Sequence, residues 1–139
     1  MRRAPRPSGR GSPGATARAR GPRPPGDAWE RFARPALWPS WAPHIAAVRC
    51  RDDRIRVGAH GHVRAVGGLL ARFRVDAVDE PAMRWSWTVR AAGLRVRLEH
   101  GVDAAGEGSE AWARILAPRP LALLYAPIAA LALRRLVAT

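Results

Sequence analysis

Lysine, asparagine and glutamine are absent from this 139-residue chain, and cysteine occurs once, at Cys50. A single cysteine excludes an internal disulfide and a cysteine metal cluster, and it suits a reducing compartment. Cys50 reads as small apolar filler near a strand, because a reactive thiolate needs an activating base that the sequence does not supply. Without lysine, all 24 basic residues are Arg, set against 11 acidic ones for a net charge of +13. Such an excess ordinarily points to an anionic partner. A chain rich in Arg, Ala, Gly and Pro is also what GC-rich coding produces. The excess is uneven: residues 1–26 carry seven Arg and no acid, whereas residues 27–139 carry 17 Arg and 11 acids, a net of +6. Most of these arginines stand singly between apolar residues, as on the wet face of a sheet. No nucleic-acid-binding motif accompanies them, so no specific nucleic-acid partner is expected.

Long hydrophobic runs are equally scarce. The one candidate, "LALLYAPIAALAL" at 121–133, contains Pro127 and is bounded by Arg119 and Arg134–Arg135. It is too short to span a bilayer and suits a core helix, so no transmembrane segment is expected. Arg2–Arg3 opens like a twin-arginine signal, but Pro, Gly, Ser and Arg follow in place of an apolar stretch. The default location is the cytoplasm. No glycine-rich phosphate loop, nucleophile elbow or facing pair of carboxylates is present, and Gly67–Gly68 and Gly106–Gly108 read as turns.

The length suits one domain. Residues 1–14 read as a disordered Arg/Pro/Gly-rich tail, with too few apolar groups to offset the entropy of ordering. The folded domain is expected over 15–139. "ATARAR" at 15–20 has the alternation of a short strand, and "GPRPPGD" is a connector whose Asp27 predicts a helix N-cap. Trp29, Phe32 and Ala33 fall at helical spacing before Pro35, which ends that helix. The steps between Trp38, Trp41, Ile45 and Val48 predict a second short helix over 38–47, with Pro39 in its first turn.

From there the period changes to two. "AAVRCRDDRIRV" at 46–57 predicts two strand arms around Asp52–Asp53, a hairpin turn that also explains both acids without a bound cation. A further strand follows at 59–66. Leu69, Ala71, Phe73, Val75 and Ala77 alternate with Arg72, Arg74 and Asp76. After a turn at 79–81, Met83, Trp85, Trp87 and Val89 do the same. Beyond Ala92–Gly93 come Leu94, Val96, Leu98, His100 and Val102, and "EAWARIL" is the last strand. Such a series makes an antiparallel meander with one dry face. The helix predicted over 121–137 is the element left to cover that face, and its apolar residues all round predict burial on more than one side.

This order of elements resembles the α+β helix-grip fold of the START/polyketide-cyclase superfamily, SRPBCC, with a curved sheet of six or seven antiparallel strands around a long C-terminal helix. The phrases "AWERFARPALWPSWAPHIAAV", "RIRVGAHGHV", "RFRVDAVDEPAMRWSWTV" and "LEHGVDAAGEGS" are similar to those of bacterial members of polyketide cyclase/dehydrase type, and together they cover about residues 27–137. The family's first strand precedes the paired helices, and only "ATARAR" can fill that place. Either it is a poor edge strand or the start of the chain has been altered. The resemblance implies a cavity between sheet and C-terminal helix that takes an apolar or aromatic small molecule. A concave sheet facing a helix leaves such a hollow on physical grounds also.

Residues on the inward faces are the candidate ligand contacts: Phe73, Trp85, Trp87, Leu98, His100 and, from the helix, Tyr125. His100 is the one ionisable group on its strand's dry face; it either orients a ligand or moves a proton, or else it is a histidine near a strand end, bonded to backbone or reaching solvent. Trp85 and Trp87 form either core or an aromatic wall. Trp38 and Trp41 sit where the short helices meet the rim, as a plug first and a gate second. His60 and His62 share a face that Arg64 continues, which reads as the wet side, and no further metal ligands accompany them. The expected function is binding of a hydrophobic or aromatic small molecule, lipid or polyketide-like, with no cofactor and no metal, by a monomer or weak homodimer. The alternative is a cyclase/dehydratase-like enzyme with His100 as proton-transfer group. A third reading is an adaptor whose Arg-rich tail docks on an anionic surface.

Overall fold

The computed structural model describes residues 14–139. The disordered tail expected at 1–14 falls, but for Gly14, outside the described residues. Alternating small and charged residues make strand β1 (Gly14–Gly21). Helix α1 (Pro25–Ala33) follows, then a 3-10 turn (Pro35–Leu37) and the one-turn helix α2 (Trp38–Trp41). Six strands come next: β2 (Ile45–Cys50), β3 (His60–Ala65), β4 (Leu70–Asp79), β5 (Arg84–Ala91), β6 (Leu94–Ala105) and β7 (Gly108–Leu116). Helix α3 (Arg119–Leu136) closes the chain. The seven strands form one antiparallel sheet in the order β1-β7-β6-β5-β4-β3-β2, so the meander is extended by β1 pairing with β7. The architecture is α+β, a curved sheet gripping the long C-terminal helix, with two short helices near the N-terminus.

The sheet receives α3 where its side chains are smallest. Ala17 pairs with Ala113 and Ala19 with Ala111, all four buried. That alanine floor lets Ala122, Ala129, Ala132, Leu133 and Leu136 of α3 pack closely on β1 and β7. The C-terminus of α3 is tied down by cations: Arg31 donates to the Arg135 carbonyl at 2.6 Å and to Leu136 at 3.2 Å, while Arg23 donates to Ala138 at 2.7 Å. Positive groups at orphan carbonyls satisfy them and favour the helix dipole. No helix among the described residues is long and apolar enough to cross a membrane.

Five expectations are corrected. The helix predicted over 38–47 is only Trp38–Trp41, because Pro43 biases Ala42 to an extended conformation (φ −99°, ψ 97°). The first helix starts at Pro25 rather than at an Asp27 cap, proline being suited to a position whose N–H has no helical partner; Asp27 lies in the first turn. The second arm of "AAVRCRDDRIRV" is no strand. There Ile55 turns into the core with its N–H on the Ala33 carbonyl, and Arg54 bridges Glu30 and Glu80. A register shift between Val75 and Ala77 reverses the alternation, leaving Ala77 exposed and packing Val78 against the core. Helix α3 is also buried on one side only: Leu123, Leu124, Ile128 and Leu131 are exposed.

Candidate functional site

On the concave face β4 carries Phe73, β5 carries Trp85 and Trp87 at alternate positions, and β6 carries His100, and α1 and α2 fold their own aromatics down onto them. Trp38 is 1% exposed and sits at the centre. Its ring stacks on Trp85 at 5.7 Å and meets Trp87 at 5.0 Å and Phe73 at 5.3 Å. Its Nε1 donates to the Phe32 carbonyl at 2.9 Å. Trp41 stands edge-on to Phe32 at 5.4 Å and donates to the Arg31 carbonyl at 3.0 Å. Each such aromatic pair adds about 0.5–1.5 kcal/mol beyond area burial. The indole N–H bonds fix both rings to the backbone of α1. Spacing places the two tryptophans at the rim as a plug first and a gate second; in the fold both are buried, Trp38 more deeply than Trp41.

What remains between this cluster and α3 is a narrow hollow of about 30 Å³ lined by Trp38, Trp41, Trp85, Trp87, His100 and Tyr125 among others. That is room for about one water, whereas small-molecule pockets run to several hundred Å³. The hollow is shut in this conformation. Of the residues expected to line it, Phe73 lies behind Trp38 and Trp87, and Leu98 is buried without reaching its wall.

The polar groups of the wall are few and unusually placed. Trp87 Nε1 donates to His100 Nε2 at 2.9 Å, which leaves the imidazole proton on Nδ1. His100 is also stacked on Trp85 at 4.8 Å. Burial pushes its pKa down to about 3, against an opposing pull from the Trp112 backbone. That pull is not a hydrogen bond of ordinary geometry, and Nδ1 has no partner. The ring is neutral at physiological pH. Its lone pair is already engaged, so what it can offer a bound molecule is one N–H donor.

The second polar pair is one the sequence did not announce. His44 Nε2 and Tyr125 Oη are 2.9 Å apart, joining the loop after α2 to the first half of α3. Burial lowers the His44 pKa and raises that of Tyr125 to about 12, so both are neutral. His44 had been absorbed into the overlong second helix; the Ala42–Pro43 step was the signal that would have released it into a loop. His44 Nδ1 and Trp85 Nε1 are, like His100 Nδ1, buried without a partner. His60 and His62 lie exposed on the opposite face of the sheet. Among the described residues, no group of three His, Cys, Asp or Glu side chains gathers where it could hold a metal ion.

Comparison with known proteins agrees with this geometry. The sequence model of the family described as "Polyketide cyclase / dehydrase and lipid transport" matches residues 14–139. No curated protein sequence matches significantly. Among solved structures, Ara h 8.0201 is similar with TM-score 0.65 and 18% identity over 87% of this chain and 93% of its own. XoxI from Bacillus cereus gives TM-score 0.71 and 14% identity over 88% and 92%. DynU16, from the dynemicin biosynthetic locus, gives 0.70 and 17% over 88% of this chain but 45% of its own length. At these identities the structures show a shared fold.

Proposed function

The chain belongs to the polyketide cyclase/dehydrase and lipid transport family, within the START/SRPBCC-like proteins, and on that premise we propose that it binds a hydrophobic small molecule between its sheet and its C-terminal helix. The observation that carries this reading is the set of three buried, unpartnered nitrogens, His44 Nδ1, Trp85 Nε1 and His100 Nδ1, on residues that all line one apolar hollow. Buried polar groups are nearly always paired, and a cluster of exceptions marks a place for a polar partner. Trp85 Nε1 and His100 Nδ1 are donors, so the matching ligand is a largely apolar or aromatic body carrying acceptor oxygens, such as a carbonyl-bearing polyketide-like ring or a lipid acid or ester. Phe73 and Leu98 support the wall from behind, and Trp38, Trp41, Trp85, Trp87 and Tyr125 form the apolar contact.

The hollow must widen to admit such a body. The first half of α3 is the natural moving part: Pro127 interrupts that helix, lacks an N–H and leaves the Leu123 carbonyl without its helical bond. Tyr125, just ahead of it, is latched to His44. In this reading Tyr125 with His44, rather than the deeply packed Trp38, is the gate. Binding is favoured over cyclase/dehydratase chemistry because proton transfer by His100 would need the lone pair that Trp87 occupies and a pKa nearer neutrality. The free Cys50 suits a reducing compartment, the cytoplasm.

Native mass spectrometry of the purified protein, before and after organic extraction, tests the reading. It is supported by a co-purified apolar compound that rebinds wild type and fails to rebind an Ala129→Leu variant, whose added bulk projects into the hollow. If neither a co-purified compound nor any member of a panel of fatty acids and polycyclic ketones is retained, the reading fails.

A further inference from the structure

We propose that one end of the sheet is a docking surface for anionic lipid bilayers. The strand register brings the β3–β4 turn, the β5–β6 turn, the start of β1 and the start of α3 to the same end. The His44–Tyr125 side of the hollow lies toward this end too, since Val66 donates to the His44 carbonyl at 2.9 Å and His44 meets Tyr125. Five large apolar side chains there, Val66, Leu69, Leu70, Leu94 and Leu124, are each more than half exposed. Scattered apolar residues need no explanation, but these cap adjoining turns and the helix that begins beside them.

The charge around that tip is of one sign. Residues 14–26, 35–51, 62–75, 86–98 and 111–139, which supply this end and the strands running from it, contain no Asp or Glu. Arg72 pairs across the sheet with Arg90, and Arg90 with Arg95. Like charges directly opposite one another destabilise a sheet, and none of the three is paired with a carboxylate in the described residues. They border an open groove of about 500 Å³ on the outer face. Asp76, the first acid along β4, accepts from Thr88 Oγ1 at 2.7 Å instead. Arg72 and Arg95 stand within two residues of Leu70 and Leu94, which is the level of lipid phosphates when the leucines reach the acyl boundary. Strand β1 begins at this end, Gly14 opposite Leu116, and the thirteen residues before it carry four more Arg and no acid. An apolar tip ringed by unpaired arginines matches an anionic bilayer in both of its layers. A second copy of the chain would cover the leucines but would bring the same arginines, leaving the row without counter-charge.

Flotation with vesicles of phosphatidylcholine and phosphatidylglycerol in equal parts tests this, against phosphatidylcholine alone. Wild type is expected on the anionic vesicles only, released by salt. Arg90→Glu with Arg95→Glu should lower partitioning by about tenfold or more, in keeping with the attraction of each surface arginine. Leu69→Asp with Leu70→Asp, exposed at the end of the β3–β4 turn and the first position of β4, should do the same while far-ultraviolet circular dichroism and Tm stay near wild type. Leu131→Asp, farther along α3, should have little effect. The proposal is overturned if wild type does not float. It is also overturned if the leucine pair is silent while deletion of residues 1–13 abolishes binding, or if light scattering shows a dimer that the same leucine variant dissolves. Ligand retention measured on the same variants is independent of these outcomes, so failure of docking and failure of the binding reading are separable.

Discussion

Trp87 Nε1 donates to His100 Nε2 across 2.9 Å inside the aromatic core, and this single bond fixes the tautomer, charge and chemical scope of the histidine. The imidazole is held neutral by burial with its pKa near 3, against an ordinary 6.5. Between those values the unfolded chain binds a proton that the folded chain refuses, so stability rises with pH across the window and is lost as pH falls from 6.5 toward 3. His100→Leu should flatten the dependence of Tm on pH in the upper part of that window, above the range where carboxylates titrate. It should also lower Tm at neutral pH, because the Trp87 N–H loses its acceptor. A variant with the wild-type slope would show that His100 is not the group responsible.

A second acid-sensitive element lies at the β4–β5 turn, where α1 packs. Arg54 donates to both carboxylate oxygens of Glu30 and both of Glu80 at 2.8–2.9 Å, and Trp29 Nε1 adds a bond to Glu80 at 2.7 Å. The Arg54 guanidinium holds both carboxyls below their ordinary 4.5. Their contribution is therefore complete above that value and is lost as pH falls through the depressed ones. All three side chains are more than a third exposed, so solvent screening limits the network to about 1 kcal/mol. Arg54→Ala should cost about that much at neutral pH and nothing at strongly acid pH, read by urea melts; a loss of equal size at both would refute the charge-based account.

The gate can be tested through its latch. Tyr125→Phe keeps the ring against the hollow and removes only the hydroxyl that meets His44, a bond worth about 1 kcal/mol. Stopped-flow quenching of tryptophan fluorescence by 2-naphthol should show faster association in the variant, with only a small change in Tm. Equal association rates would place access to the hollow elsewhere.

Backbone strain gives a prediction that touches no ligand. The two-residue turn between β5 and β6 puts Ala92 at φ +51° and Gly93 at φ +78°. Such hairpin turns need left-handed conformations at both positions, which Asn tolerates better than Ala. Ala92→Asn should raise stability by roughly 0.5–1 kcal/mol in urea melts; a loss would show that the alanine methyl is packed rather than merely strained.

Much of the fold was legible because alternation reports a half-buried strand directly: Phe73, Val75, Trp85, Trp87, Leu98 and His100 all face inward as their spacing implies. The sheet bulge before Ala77 was not legible, since an extra residue in one strand leaves no mark on composition. Nor was Arg54, whose partners Glu30 and Glu80 are 24 and 26 residues away in sequence. The apolar run of α3 was misleading for a physical reason. Hydrophobic residues all round a helix predict burial only where something covers them, and Leu124 and Ile128 lie on the side away from the alanine floor. In the site, the tryptophans and Tyr125 were visible in the sequence. The hollow's small volume was not, because it depends on how far Trp38 reaches.

The central claim is that an apolar ligand enters the hollow and pairs its buried nitrogens. The six tryptophans supply the most direct reading of it, as indole Nε1–H signals in a nitrogen-15 correlation spectrum titrated with 2-naphthol. Trp85 and Trp87 face the hollow, whereas Trp112 lies on the outer face across Gly101 and beneath the Arg84 guanidinium. The account predicts saturable shifts of the Trp85 and Trp87 signals, with Trp85 moving downfield as its unpartnered N–H gains an acceptor, and a Trp112 signal that stays in place. Shifts confined to Trp112, or no shifts up to the solubility limit of the probe, would contradict it.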